Sequence, residues 1–95
     1  MATVTLEVPA VLAPTVGGRR VLEVECEDGA SVGAVLDRVS AQFPVFARRI
    51  RDETGSVRRF ANVFVGSDNI RDLAGLDTPA PAGARIMVIQ SVAGG

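Results

Sequence analysis

Three kinds of group in this 95-residue chain could do chemistry, and the types and spacing of the residues set two of them aside. The 11 Asp and Glu residues are scattered rather than paired, which is the pattern of solvated surface charge rather than of an acid–base couple. Histidine is absent, so metal, triad and proton-transfer constellations lose their commonest member, and no metal site is expected. Cys26 is the lone cysteine, which excludes an intrachain disulfide. It continues the alternation Leu22, Val24, Cys26 and so points inward, reading as a packed structural thiol, with a reactive thiol as the alternative. What remains is the end of the sequence. An apolar strand, Arg85 to Ser91, runs into Val92-Ala93-Gly94-Gly95 with no charged or bulky side chain on the way. The expectation is a body over 1–91 and a slim, flexible tail over 92–95 that ends in the unhindered α-carboxylate of Gly95. No catalytic residue of its own is expected, and the chain reads as something other than a free-standing enzyme.

Composition bounds the setting. Ninety-five residues make one domain, and 47% apolar content supplies one modest core without staples. The formal net charge is −1 with acids and bases interspersed, which argues against nucleic acid and acidic membranes as partners. The alternating N-terminus lacks the charged start and apolar run of a signal peptide, and no apolar stretch is long enough to span a bilayer. A cytoplasmic location is the expectation. All ten basic residues are Arg. Without lysine the chain can donate through its C-terminus but cannot build lysine-linked chains on itself.

The elements that must carry such a tail follow from periodicity. Thr3–Val8 and Arg20–Cys26 alternate as half-buried strands, joined by a long connection with Pro9, Pro14 and Gly17-Gly18. Ser31 is a good N-cap for a helix through about Phe43, with Val32, Val35, Leu36, Val39 and Phe43 on one stripe. Pro44 ends it, and Phe46 with Ile50 suggests a further short helical turn under the core. Asp52–Ser56 is a surface loop, Arg58–Val65 a third strand, Gly66–Asn69 a turn and Leu73–Leu76 a short helical turn. Thr78–Gly83 is a loop, and Ala84–Ser91 the last strand. A sheet covered on one face by one main helix accommodates this order if the first and last strands lie side by side and parallel, with the helix in the crossover.

That order resembles the β-grasp, or ubiquitin-like, fold: an α+β single domain with a mixed four- to five-stranded sheet and one main helix on one face. The residues look more specifically like the ubiquitin-like bacterial sulfur carriers, which include molybdopterin synthase small subunits and thiamine-pathway carriers. The marks are Val8-Pro9 with the loop to Gly17-Gly18, Ser31-Val32-Gly33, Arg59-Phe60-Ala61-Asn62-Val63-Phe64-Val65, Ile70-Arg71, Gly75-Leu76, Gly83 and the closing Val92-Ala93-Gly94-Gly95. The likeness is greatest to the cysteine-pathway branch. It departs from that branch at Gln90, where such carriers often have proline, and at Ala82 and Ala84, where acidic residues often flank the loop glycine.

The resemblance implies a protein cosubstrate. No cofactor is bound. ATP is used by a partner, a ubiquitin-activating-like adenylyltransferase and sulfurtransferase, which turns Gly95 into an acyl-adenylate and then a thiocarboxylate (1-thioglycine). The sulfur then passes to an accepting enzyme, a PLP-dependent cysteine synthase or another synthase. A molybdopterin synthase subunit and, less favoured, a ubiquitin-like modifier are the alternatives. Extended, Ser91–Gly95 reaches about 17 Å, which lets the carboxylate enter a partner while the body stays docked outside. Alternation places Phe60, Phe64, Met87 and Ile89 on the open sheet face, a candidate docking patch, if Val63, Val65, Ile86 and Val88 point inward. Packing under a loop or a neighbouring chain is the other reading of the same residues. Arg58, Arg59 and Arg71 are candidates for a charged rim, with simple solvation the favoured reading of each one alone.

Overall fold

Alternation of apolar and polar residues at the N-terminus produces β1 (Ala2–Glu7), which buries Ala2, Val4 and Leu6. It pairs antiparallel with β2 (Val21–Cys26) from Ala2↔Cys26 to Glu7↔Val21. This is a computed structural model, and it describes residues 1–90. The tail residues Val92, Ala93, Gly94 and Gly95 of the sequence-based reading lie outside the described residues, as does Ser91.

The connection between the first two strands is not irregular. Ala10–Val16 winds into 3₁₀ turns that bury Leu12, Ala13 and Val16 and contain Pro14. Gly17 stops them at φ 75°, a conformation that suits glycine because it has no Cβ. The segment thus adds three apolar residues to the core where only a proline-bounded loop was expected.

α1 (Val32–Gln42) begins as predicted, with the Ser31 hydroxyl accepting the Ala34 N–H at 3.1 Å. Val32, Val35, Leu36 and Val39 face the sheet. Pro44 both ends α1 and opens α2 (Pro44–Ile50), because a missing N–H costs nothing at a first helical position. Phe46 and Ile50 of α2 are fully buried.

β3 (Ala61–Val65) starts three residues later than its pattern suggested, since the Ala61 N–H donates to the Arg58 carbonyl at 3.0 Å and makes residues 58–60 a turn. A two-residue β4 (Asp68–Asn69), 3₁₀ turns at Ile70–Asp72 and Gly75–Asp77, and β5 (Arg85–Gln90) follow. The sheet order is β2-β1-β5-β3-β4. The outermost strands in sequence, β1 and β5, are central and parallel, from Thr5↔Arg85 to Glu7↔Met87, and β3 runs antiparallel to β5. This is the β-grasp arrangement, with both helices on one face and the other face open.

The core lies between the layers. Leu6, Ile86, Val63 and Val88 meet Leu36, Phe46 and Ile50 there, and each fully buried side chain of this size contributes about 1.5–3 kcal/mol. Cys26 is 1% exposed within that core, the packed thiol its alternation suggested. No helix among the described residues is long and apolar enough to cross a membrane.

Candidate functional site

The site begins with the register of β3 and β5. Val63↔Val88 and Val65↔Ile86 put one set of side chains toward the helices, so the intervening pairs, Phe64↔Met87 and Asn62↔Ile89, stand on the open face. Phe64 and Met87 are half-buried against each other's strand, and Ile89 is 43% exposed. The open face therefore carries Phe64, Met87 and Ile89 in a diagonal that leads to the end of β5. Phe60 belongs to this region differently. It lies in the turn before Ala61, where strand alternation no longer determines which way a side chain points, and is 37% exposed.

The polar frame of the face comes from the neighbouring strand. Glu7 lies beside Met87 in the parallel register, and its carboxylate meets the Arg85 Nε at 3.2 Å as an ion pair without hydrogen-bond geometry. A shallow groove continues the patch toward the hairpin, bordered by Pro9, Arg20, Val21, Met87 and Ile89. Gln90 closes β5 opposite Ala61, with a buried Oε1 that has no hydrogen-bond partner among the described residues.

Arginines surround this end, but in different roles. Arg71 reaches back over β3: its Nη1 donates to Asn62 Oδ1 at 2.6 Å and its Nη2 to the Arg58 carbonyl at 2.9 Å. Asn69 Oδ1 in turn accepts the Arg71 N–H at 3.0 Å. Arg71 is thus a clamp on the turn that precedes β3, neither a merely solvated side chain nor a free rim charge, the two readings the sequence offered. Arg58 donates its Nε to the Arg48 carbonyl at 2.8 Å, and Arg59 is exposed. Sequence reasoning offered these three together as a rim, with simple solvation of each as the other reading. It missed Arg20 and the Glu7–Arg85 pair, which come close to the patch only through the parallel pairing of β1 with β5.

No group of three or more His, Cys, Asp and Glu that could hold a metal occurs among the described residues. What the arrangement offers is an apolar face, rimmed by charge, at the root of the segment that continues into Val92-Ala93-Gly94-Gly95.

Comparison with known proteins is consistent along nearly the whole chain. The family model of the ThiS family matches residues 6–95. The sulfur carrier protein CysO of Mycobacterium tuberculosis H37Rv is 30% identical over 94 residues, covering 97% of this chain and 98% of that protein. Among solved structures, the BexX/CysO complex of Amycolatopsis orientalis contains a chain that superposes with a TM-score of 0.85 at 29% identity, covering 97% of this chain and 99% of that one. SAMP1 from Haloferax volcanii superposes with a TM-score of 0.83 at 25% identity, over 98% and 99%.

Proposed function

The chain belongs to the ThiS family, and on that footing we propose that it is a sulfur carrier whose C-terminal Gly95 holds the transferred sulfur. A carboxylate is a poor electrophile. A partner enzyme joins it to AMP, releasing pyrophosphate from ATP, and a sulfide equivalent then displaces AMP to leave a thiocarboxylate. The thiocarboxylate sulfur is a soft nucleophile, and an accepting enzyme takes it up for a sulfur-containing metabolite, cysteine by the likeness to CysO. The chain supplies no catalytic group of its own. It supplies a body that docks and a tail that reaches.

The observation that carries this reading is the near full-length similarity to CysO in a chain that places Gly94-Gly95 five residues or fewer beyond its central strand. The physical logic agrees. Glycines have no side chain, so they pass a channel narrow enough to exclude water from the reacting carbonyl. The open face with Phe64, Met87 and Ile89, and with Phe60 beside it, is the surface proposed to dock on the partner.

The test is intact-mass analysis after incubation with ATP, a sulfur donor and the host's adenylating enzyme. The expected result is a gain of about 16 Da, one sulfur in place of one oxygen, that is lost when Gly95 is deleted while the fold is retained. Normal sulfur loading of the truncated chain would sink the proposal. The likeness to SAMP1, a small archaeal modifier protein, supports a second reading as a protein modifier, which predicts adducts on lysines of other proteins in the same experiment. A molybdopterin synthase subunit would instead co-purify with a larger synthase chain.

A further inference from the structure

The charges of this chain are interspersed in sequence but sorted along the sheet. Because β1 and β5 are parallel and β3 is antiparallel to both, one end of the sheet gathers the end of β5, the end of β1 and the start of β3. Arg20 arrives there from the hairpin, with its carbonyl accepting the Val8 N–H at 2.8 Å and its side chain bordering the groove beside Met87 and Ile89. Arg59 arrives from the opposite side, two residues before Ala61, which pairs with Gln90, whereas the Arg58 guanidinium turns to the Arg48 carbonyl of α2. The opposite end of the sheet gathers Glu25, Glu27 and Asp28 around the Ala2↔Cys26 pair, and Asp68 across from Val65.

None of the three ion pairs among the described residues involves Arg20 or Arg59, whereas the charge of Arg58 acts on the Asp52 carboxylate. The Arg71 guanidinium keeps its charge but is held by Asn62 Oδ1 and the Arg58 carbonyl, which fixes it on the turn before β3. A chain with a formal net charge of −1 therefore presents positive charge outside any ion pair among the described residues on both flanks of β5.

We propose that Arg20 and Arg59 form a cationic collar that recognises an acidic rim on the protein whose channel receives the tail. This rests on the carrier reading above. The collar belongs to a protein rim rather than to the nucleotide because of reach. Five residues separate Gln90 from the reacting carboxylate, about 17 Å when extended, so the body's arginines stay outside the chamber where ATP is cleaved. Complementary charge placed around an opening steers encounter and sets register, while the apolar face supplies contact area.

The experiment measures ATP–pyrophosphate exchange by the host's adenylating enzyme with the full chain as substrate, for wild type, R20E/R59E, R20K/R59K and R38E. Arg38 is an exposed α1 residue on the helical side, so R38E controls for reversing one surface charge away from the collar. The expected result is a KM raised about tenfold or more in R20E/R59E with kcat within about twofold, and near-normal KM in R20K/R59K and R38E. Wild-type KM should rise between roughly 50 and 300 mM salt, and more steeply than that of R20E/R59E. A KM for R20E/R59E within about twofold of wild type, with circular dichroism showing a folded chain, would overturn the collar and leave the carrier reading standing. An equal rise in R38E would do the same. Absence of exchange with wild type would overturn the carrier reading, and the collar with it. Salt-sensitive binding of wild type to duplex DNA, lost in R20E/R59E, would assign the collar to nucleic acid instead.

Discussion

Arg71 and Asp52 show how single charged residues on the surface of this chain act on the backbone beside them. Arg71 holds the turn before β3 through the carbonyl of Arg58, and so fixes where the strand next to β5 can begin. Asp52 organises the loop after α2: its carboxylate accepts from the Thr54 N–H and hydroxyl and from the Ser56 N–H. The Thr54 hydroxyl is the largest cause that holds the Asp52 carboxyl below its ordinary value, helped by the backbone N–H groups and by the Arg58 charge, against a smaller opposing effect of desolvation. A depressed folded-state pKa means that the loop's stabilisation is present above the unfolded value and is lost as pH falls through the folded one. The expected outcome is an Asp52 carboxyl that titrates below an ordinary aspartate by 13C NMR, with Thr54→Val moving the midpoint upward. An unmoved midpoint in that variant would show that the hydroxyl does not matter.

At the scale of elements, Gly33 has a role that helix propensity alone would misjudge. Read from sequence, a glycine in the first turn of α1 only weakens the helix. In the fold, a Cβ at this position would lie 3.1 Å from the Leu76 carbonyl oxygen and 3.2 Å from the Leu76 Cβ. The glycine therefore lets the 3₁₀ turn Gly75–Asp77 pack onto the start of α1. Gly33→Ala should gain about 1 kcal/mol in helix propensity and lose about 1–3 to crowding, for a net destabilisation of about 1 kcal/mol and a lower Tm by thermal unfolding. A raised Tm would mean that the turn moves aside freely. The same scale explains the sequence's clearest omission. Leu12, Ala13 and Val16 are too few and too closely spaced to display a helical period, and Pro14 among them reads as a loop marker, yet the short 3₁₀ winding buries all three.

For the whole molecule, the deciding feature is one core beneath one sheet. Phe46 is the largest fully buried side chain and comes from a helix of only seven residues, so α2 is held by packing rather than by its own propensity. Phe46→Ala should cost about 3–5 kcal/mol, a large share of the roughly 5–15 kcal/mol of a typical domain, read as a lower urea midpoint. A loss below about 1 kcal/mol would show that the layer repacks around the gap. The same architecture leaves the other face of the sheet uncovered and brings β5 to its centre.

Much of this was legible in the residues because strands and helices are local patterns. Alternation at Val4, Leu6 and Val8, the stripe from Val32 to Val39, the Ser31 cap and the inward Cys26 depend on neighbours in the chain and on nothing else. The same holds for which groups are chemically available, since the absence of His and Lys is a matter of composition. Partnership between strands is not local. That Phe64 faces Met87, that Glu7 reaches Arg85, and that Arg20 and Arg59 flank one strand although 39 positions separate them, follow from the parallel pairing of β1 with β5 and its antiparallel neighbours. Sequence determined the elements and the available chemistry. Only tertiary structure decided which side chains share a face, because hydrogen-bond register between distant strands is set by how their buried sides meet the common core.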